Sequence, residues 1–223
     1  MTKPIVVRIS LCLVAFMLMA MESHAELLAA LPQNYSDALA KAKYYCDNNH
    51  MSKQLIYEQL ISQDRFPEDA ARYAMNNLVA DYKANAVAIT QIYESKYVLS
   101  KRVLFSKLTR VEKFTEDEAN YAINYLRIDF TAKALMAAQY YSNLLHLSKQ
   151  RLYEKLLTEY FTDFEAKRAV DYINRDEFKR NALEKARYYR SIGISKEDAF
   201  DILVSKIRDA FTFEEAQYAS ANL

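Results

Sequence analysis

The sequence predicts an all-α protein: four tandem three-helix, helix-turn-helix-like repeats of about 48 residues, following an N-terminal leader. Three observations predict it. Ala38, Ala86, Ala134 and Ala182 recur every 48 residues, and Tyr45, Tyr93, Tyr141 and Tyr189 share that period, which is the signature of stacked supersecondary units. The 223 residues contain one glycine, Gly193, and three prolines, so the turn residues that a hairpin-rich β fold needs are missing. Within every copy, apolar residues recur at helical spacing.

The leader comes first. Lys3 and Arg8 precede an apolar run over residues 9–21, which ends in Ser23-His24-Ala25. This arrangement predicts a secretory signal peptide over 1–25, cut between Ala25 and Glu26. The run is shorter than the roughly 18 to 20 residues that a transmembrane anchor requires. Cys12 lies inside it behind Leu11 rather than a small residue, so it does not read as a lipoprotein acceptor. The expectation is an exported chain, periplasmic or secreted, with no stable membrane anchor after cleavage. Removing Lys3 and Arg8 from 30 basic residues, and Glu22 from 29 acidic ones, leaves 28 of each. A neutral chain argues against a nucleic-acid partner, because phosphate binding draws its affinity from clustered Lys and Arg. Cys46, the one remaining cysteine, cannot form an internal disulfide.

After a linker over 26–35, the copies are expected at 36–82, 83–130, 131–178 and 179–223. The first helix of each carries a small and aromatic face: Ala38, Ala42 and Tyr45, then Ala86, Thr90 and Tyr93, Ala134, Ala138 and Tyr141, and Ala182, Ala186 and Tyr189. Small residues let helices approach closely, and a tyrosine at the edge buries its ring while its hydroxyl finds a polar partner. The same tyrosines read alternatively as a carbohydrate or peptide platform.

Second helices begin at Ser52, Ser100, Ser148 and Ser195, each followed by a lysine, with the last copy one residue short just before Ser195. The serine hydroxyl is an N-cap acceptor. Behind it, Ile56 and Leu60, Leu104 and Leu108, Leu152 and Leu156, and Ala199 and Leu203 form an i, i+4 apolar stripe. Third helices start at Thr-x-x-Glu in three copies, Thr115 with Glu118, Thr162 with Glu165 and Thr212 with Glu215, while Pro67 stands in the first. Phe66, Phe114, Phe161 and Phe211 sit just ahead, placed to seat against the small face of that helix.

Catalytic equipment is not found. His50 and His146 occupy one repeat column, too few for a zinc set. One glycine permits no phosphate-binding loop. Glu116 with Asp117, and Glu214 with Glu215, recur at helix starts, where negative charge complements the helix dipole. No catalytic residue, metal ligand or cofactor is expected, and no individual partner-binding residue is assigned. Contact residues are expected where the copies differ, at the second-helix exits 62–65, 109–113, 158–160 and 205–210.

The combined pattern Ala-Leu-x-x-Ala-x-x-Tyr, Ser, Leu-x-x-x-Leu, Phe-Thr-x-x-Glu-Ala-x-x-Ala resembles the Ltp-like repeat over residues 36–223. The resemblance implies an exported protein of compact three-helix repeats, in a family whose phage-encoded members exclude superinfecting phage by blocking DNA uptake at the envelope. The chain departs from the pattern in two ways. Arg65, Lys113, Tyr160 and Ala210 stand where the family has Gly before the Phe, and the lipoprotein cysteine is missing. The implied partner is a protein, either a phage tail or injection component or a host envelope factor. A secreted helical adaptor or inhibitor unrelated to phage, and a cell-wall hydrolase, are the alternative functions.

Overall fold

A computed structural model of the chain describes residues 32–223. The leader, its Ala25–Glu26 cleavage point, Cys12 and most of the linker therefore lie outside the described residues. The described residues form twelve α-helices and no strand. The first copy holds α1 (Gln33–Asn49), α2 (Lys53–Ser62) and α3 (Glu68–Asn77). The second holds α4 (Tyr82–Lys96), α5 (Lys101–Ser106, continued by a π-helical turn Lys107–Val111) and α6 (Glu116–Tyr125). The third holds α7 (Phe130–Leu145), α8 (Lys149–Thr158) and α9 (Asp163–Tyr172), and the fourth α10 (Arg175–Ser191), α11 (Lys196–Val204) and α12 (Phe213–Ala221).

Local chemistry sets the helix ends. His50 and His146 close α1 and α7 in the left-handed region (φ 52° and 50°), and Gly193 occupies the same column after α10 with φ 88°. These histidines are thus helix terminators. Each serine of the second-helix column accepts from the backbone N–H three residues on, from Leu55, Val103, Arg151 and Asp198 at 3.0–3.4 Å. The three Thr-x-x-Glu starts are reciprocal capping boxes. Pro67, expected inside the first turn of α3, sits one residue earlier as its N-cap with an extended ψ of 146°. A proline lacks the N–H that a helix interior requires, and at this boundary none is needed.

Every copy has its own core. Ala38, Ala42, Ile56, Leu60, Ala71 and Ala74 are fully buried in the first, and the corresponding alanine and leucine columns fill the other three. Each fully buried leucine contributes about 1.5–3 kcal/mol of transfer free energy, so the second-helix stripe anchors its copy. Phe114, Phe161 and Phe211 are buried, whereas Phe66 is half-buried. Two details depart from the pattern. Met75, Ile123 and Val170 are buried although the sequence reading passed over them, and Leu223 lies past the end of α12 and is 42% exposed.

By its packing, the described chain falls into two compact units, divided between Asn85 and Ala86. Tyr82 and Asn85, in the first turn of α4, belong to the first unit for a physical reason. The Tyr82 ring packs against the first core, and the Asn85 amide donates to the Met51 carbonyl at 3.0 Å and to Cys46 Sγ at 3.3 Å. The second unit carries the remainder of α4, α5 and α6, and the third and fourth copies.

Candidate binding surface

The residues that recur most strictly are structural. Tyr45, Tyr93 and Tyr189 donate their hydroxyls to Asp64 (2.9 Å), Glu112 (2.6 Å) and Asp209 (2.7 Å), and Tyr141 is hydrogen-bonded to Glu159. All four carboxylates lie at the second-helix exit, one residue before the Phe-preceding position. Burial first, and the carboxylate second, hold these hydroxyls protonated: Tyr141 is pushed up to about 12, and Tyr45, Tyr93 and Tyr189 are also raised. A tyrosine so engaged is not a free platform for sugar or peptide. Several of the other flagged groups are occupied as well. Glu118, Glu165 and Glu215 complete capping boxes, and Glu214 pairs with Lys179 at 2.7 Å. In the basic stretch 175–180, Arg180 also faces Glu177 at 3.8 Å. Cys46 is a buried free thiol, and no group of three or more His, Cys, Asp or Glu among the described residues is arranged to hold a metal ion.

Sequence reasoning missed the links between copies in the second unit. Ser100 accepts from its own helix and donates to the Glu159 carbonyl at 2.8 Å, and Ser148 does the same to the Asp209 carbonyl at 2.5 Å. Glu159 and Asp209 are therefore nodes: the side chain takes the tyrosine of its own copy, and the backbone takes the serine of the preceding one. Arg151 reinforces the second node by donating to the Arg208 and Lys206 carbonyls. On the first helices, Lys133 reaches back to Glu94, and Asn181 to Ser142 Oγ and the Leu147 carbonyl, both at 2.9 Å. Phe130 and Phe178 pack against the cores of the copies before them. The signal was present as further 48-residue columns, Tyr82, Phe130 and Phe178 with Asn85, Lys133 and Asn181, whose mixed chemistry hid their shared role.

Once the scaffold is accounted for, one stretch stands apart. Between Ser100 and Phe114 the second copy carries Lys101, Arg102, Lys107, Arg110 and Lys113 against Glu112 alone. The matching stretches are close to balanced: Lys53 and Arg65 face Glu58 and Asp64, and Lys149, Arg151 and Lys155 stand with Glu154 and Glu159. In the fourth copy Lys196, Lys206 and Arg208 are outnumbered by Glu197, Asp198, Asp201 and Asp209. In α8 every cation is paired, Lys149 with Asp171, Arg151 with Glu154 and Lys155 with Glu159. None of the five on the α5 stretch has an ion-pair partner among the described residues. Three of them, Arg102, Lys107 and Arg110, border an open groove of about 590 Å³, which Phe105, Glu116 and Tyr160 also line. The Arg102 guanidinium lies over the Tyr160 ring, 4.6 Å from its centre. A second hollow of about 550 Å³ shares Arg102, Phe105 and Tyr160, and its counterpart at the next junction, about 390 Å³, is lined by the paired Lys149, Lys167 and Asp171.

Fold and surface together define an all-helical tandem-repeat protein whose four copies each enclose a core. The chain belongs to the host cell surface-exposed lipoprotein (Ltp) family, which matches it four times, over residues 33–78, 81–126, 129–173 and 177–223. Among solved structures it is similar to Ltp, a superinfection exclusion protein from the Streptococcus thermophilus temperate phage TP-J34. That similarity has 35% sequence identity and a TM-score of 0.40, covering 42% of this chain and 96% of the other. No curated protein matches the chain.

Proposed function

We propose that the chain is exported and acts as a superinfection-exclusion protein, stopping phage DNA delivery at the cell envelope by protein–protein binding. The observation that carries this reading is the fourfold family match, which runs through nearly all of the described chain. A family described as surface-exposed agrees with the leader read from Lys3, Arg8 and the apolar run to Ala25. The chain acts by contact, not by catalysis. It captures a phage tail or injection component, or occupies a host envelope factor, so that adsorption proceeds and delivery fails. Several similar faces on one chain strengthen weak single contacts through effective concentration.

The test compares cells expressing the chain with and without residues 1–25, challenged by phage and, separately, by the same phage DNA introduced by electroporation. Protection against phage alone, and only by the form with its leader, is the expected result. Protection against electroporated DNA, or equal protection by both forms, would place the target inside the cell and sink the proposal.

A further inference from the structure

We propose that the cationic groove beside α5 and its π-helical turn is a docking site for an acidic peptide segment carrying an apolar anchor. The inference rests on the reading of the chain as a protein-binding array and specifies the partner's chemistry. Four observations carry it. The stretch from Ser100 to Phe114 holds five cations and one carboxylate, and that carboxylate, Glu112, already accepts from Tyr93. Its equivalent in the third copy neutralises each cation in place, so the excess is not a requirement of the fold. The surface is concave and about 590 Å³, the size of a pocket that takes a few side chains. Finally, Val111 and Tyr160 are 56% and 53% exposed there, apolar surface set among unpaired cations.

The shape selects among anionic partners. A bilayer surface is planar and would leave the hollow unfilled. A nucleic acid presents phosphates along its whole length, yet Glu116 lines this groove and would repel one of them. A peptide satisfies both features: carboxylates meet Arg102, Arg110 and Lys107, an apolar side chain enters beside Phe105 and Tyr160, and a peptide N–H or amine meets Glu116. Arg102 is already held against the Tyr160 ring, so less side-chain freedom is lost when it binds a carboxylate.

The test uses the purified chain and a short fluorescein-labelled peptide in which glutamates flank a Leu-Phe pair, read by anisotropy. Saturable binding that weakens with salt is expected, and Arg102→Gln with Arg110→Gln should lower affinity by about tenfold or more, the loss of two charge-assisted contacts. Arg168→Gln with Lys196→Gln, which removes the same charge from exposed sites elsewhere, should leave binding unchanged, and circular dichroism should match for all forms. An all-glutamate peptide should bind at least about tenfold more weakly, because the apolar anchor is gone. Absence of binding, equal loss in the control pair, or equal affinity for the all-glutamate peptide would overturn the proposal. So would sensitivity to the Arg pair only with phosphatidylglycerol vesicles or oligothymidylate. Because the readout is binding by purified chain, its failure is separable from loss of protection in infected cells.

Discussion

Tyr160 has φ 62°, and Arg65, Lys113 and Ala210 hold the matching positions of the other copies at φ 58°, 59° and 55°. These four precede the Phe column, where the family pattern carries glycine. The physical reason is now visible. The chain must turn left-handed here for Phe66, Phe114, Phe161 and Phe211 to return their N–H groups to the Leu60, Leu108, Leu156 and Leu203 carbonyls. A side chain in that region costs about 1–2 kcal/mol, which glycine avoids. Ala210→Gly should therefore raise the stability of the chain by up to about 1 kcal/mol, after allowing for the greater freedom of glycine in the unfolded state. Gly193→Ala is the mirror experiment. Its added Cβ meets nothing within 4 Å, so the expected loss of about 1 kcal/mol is purely conformational. Denaturant midpoints check both, and an Ala210→Gly variant less stable than the parent would contradict the strain argument. Phe114 is 3% exposed, and Phe114→Ala should cost about 3–5 kcal/mol by the same measurement.

Helix starts were the most legible elements, because a capping box or a Ser N-cap is written within four consecutive residues and needs no partner elsewhere. Helix stops and inter-copy links were less so. The Ser148 hydroxyl finds the Asp209 carbonyl 61 residues away, and no local pattern encodes that distance. The serine column consequently hides two energetic classes. Ser100 and Ser148 are buried and make two hydrogen bonds each, whereas Ser195 is half-buried and, besides capping α11, donates to the Asp198 carboxylate beside it. Ser195→Ala should cost about 1 kcal/mol, the value of an N-cap. Ser148→Ala should cost about 2–3 kcal/mol, since it also removes the part-buried bond to the Asp209 carbonyl. Equal losses in equilibrium unfolding would show that the donation to Asp209 adds nothing.

On the scale of the whole molecule, the period gave the fold class and the four cores, yet it left the binding face illegible. A site that occurs in one copy appears only as a departure, and departures at 62–65, 158–160 and 205–210 prove to serve the tyrosine carboxylates and the left-handed turns. Only the α5 stretch carries a large excess of cations over carboxylates, five to one. The tyrosine columns have a global consequence as well. Their folded pKa values lie above the ordinary value near 10, with Tyr141 at about 12, because burial and a neighbouring carboxylate favour the neutral hydroxyl. Stability from these groups is fully present below about pH 10. Above it the unfolded chain ionises first, so stability falls as pH rises toward the folded values, by at most about 1 kcal/mol per pH unit per tyrosine after solvent screening. Four such tyrosines acting together should bring the chain to alkaline unfolding between pH 10 and 12, seen as tyrosinate absorbance rising together with loss of helical circular dichroism. Lysines such as Lys41 and Lys179, also raised by their carboxylate partners, push the same way, so a substitution must separate the two. Tyr141→Phe should lower stability at neutral pH by about 1 kcal/mol through the lost hydrogen bond, while making the alkaline decline shallower. A variant whose decline above pH 10 is as steep as the parent's would assign the alkaline transition to the lysines instead.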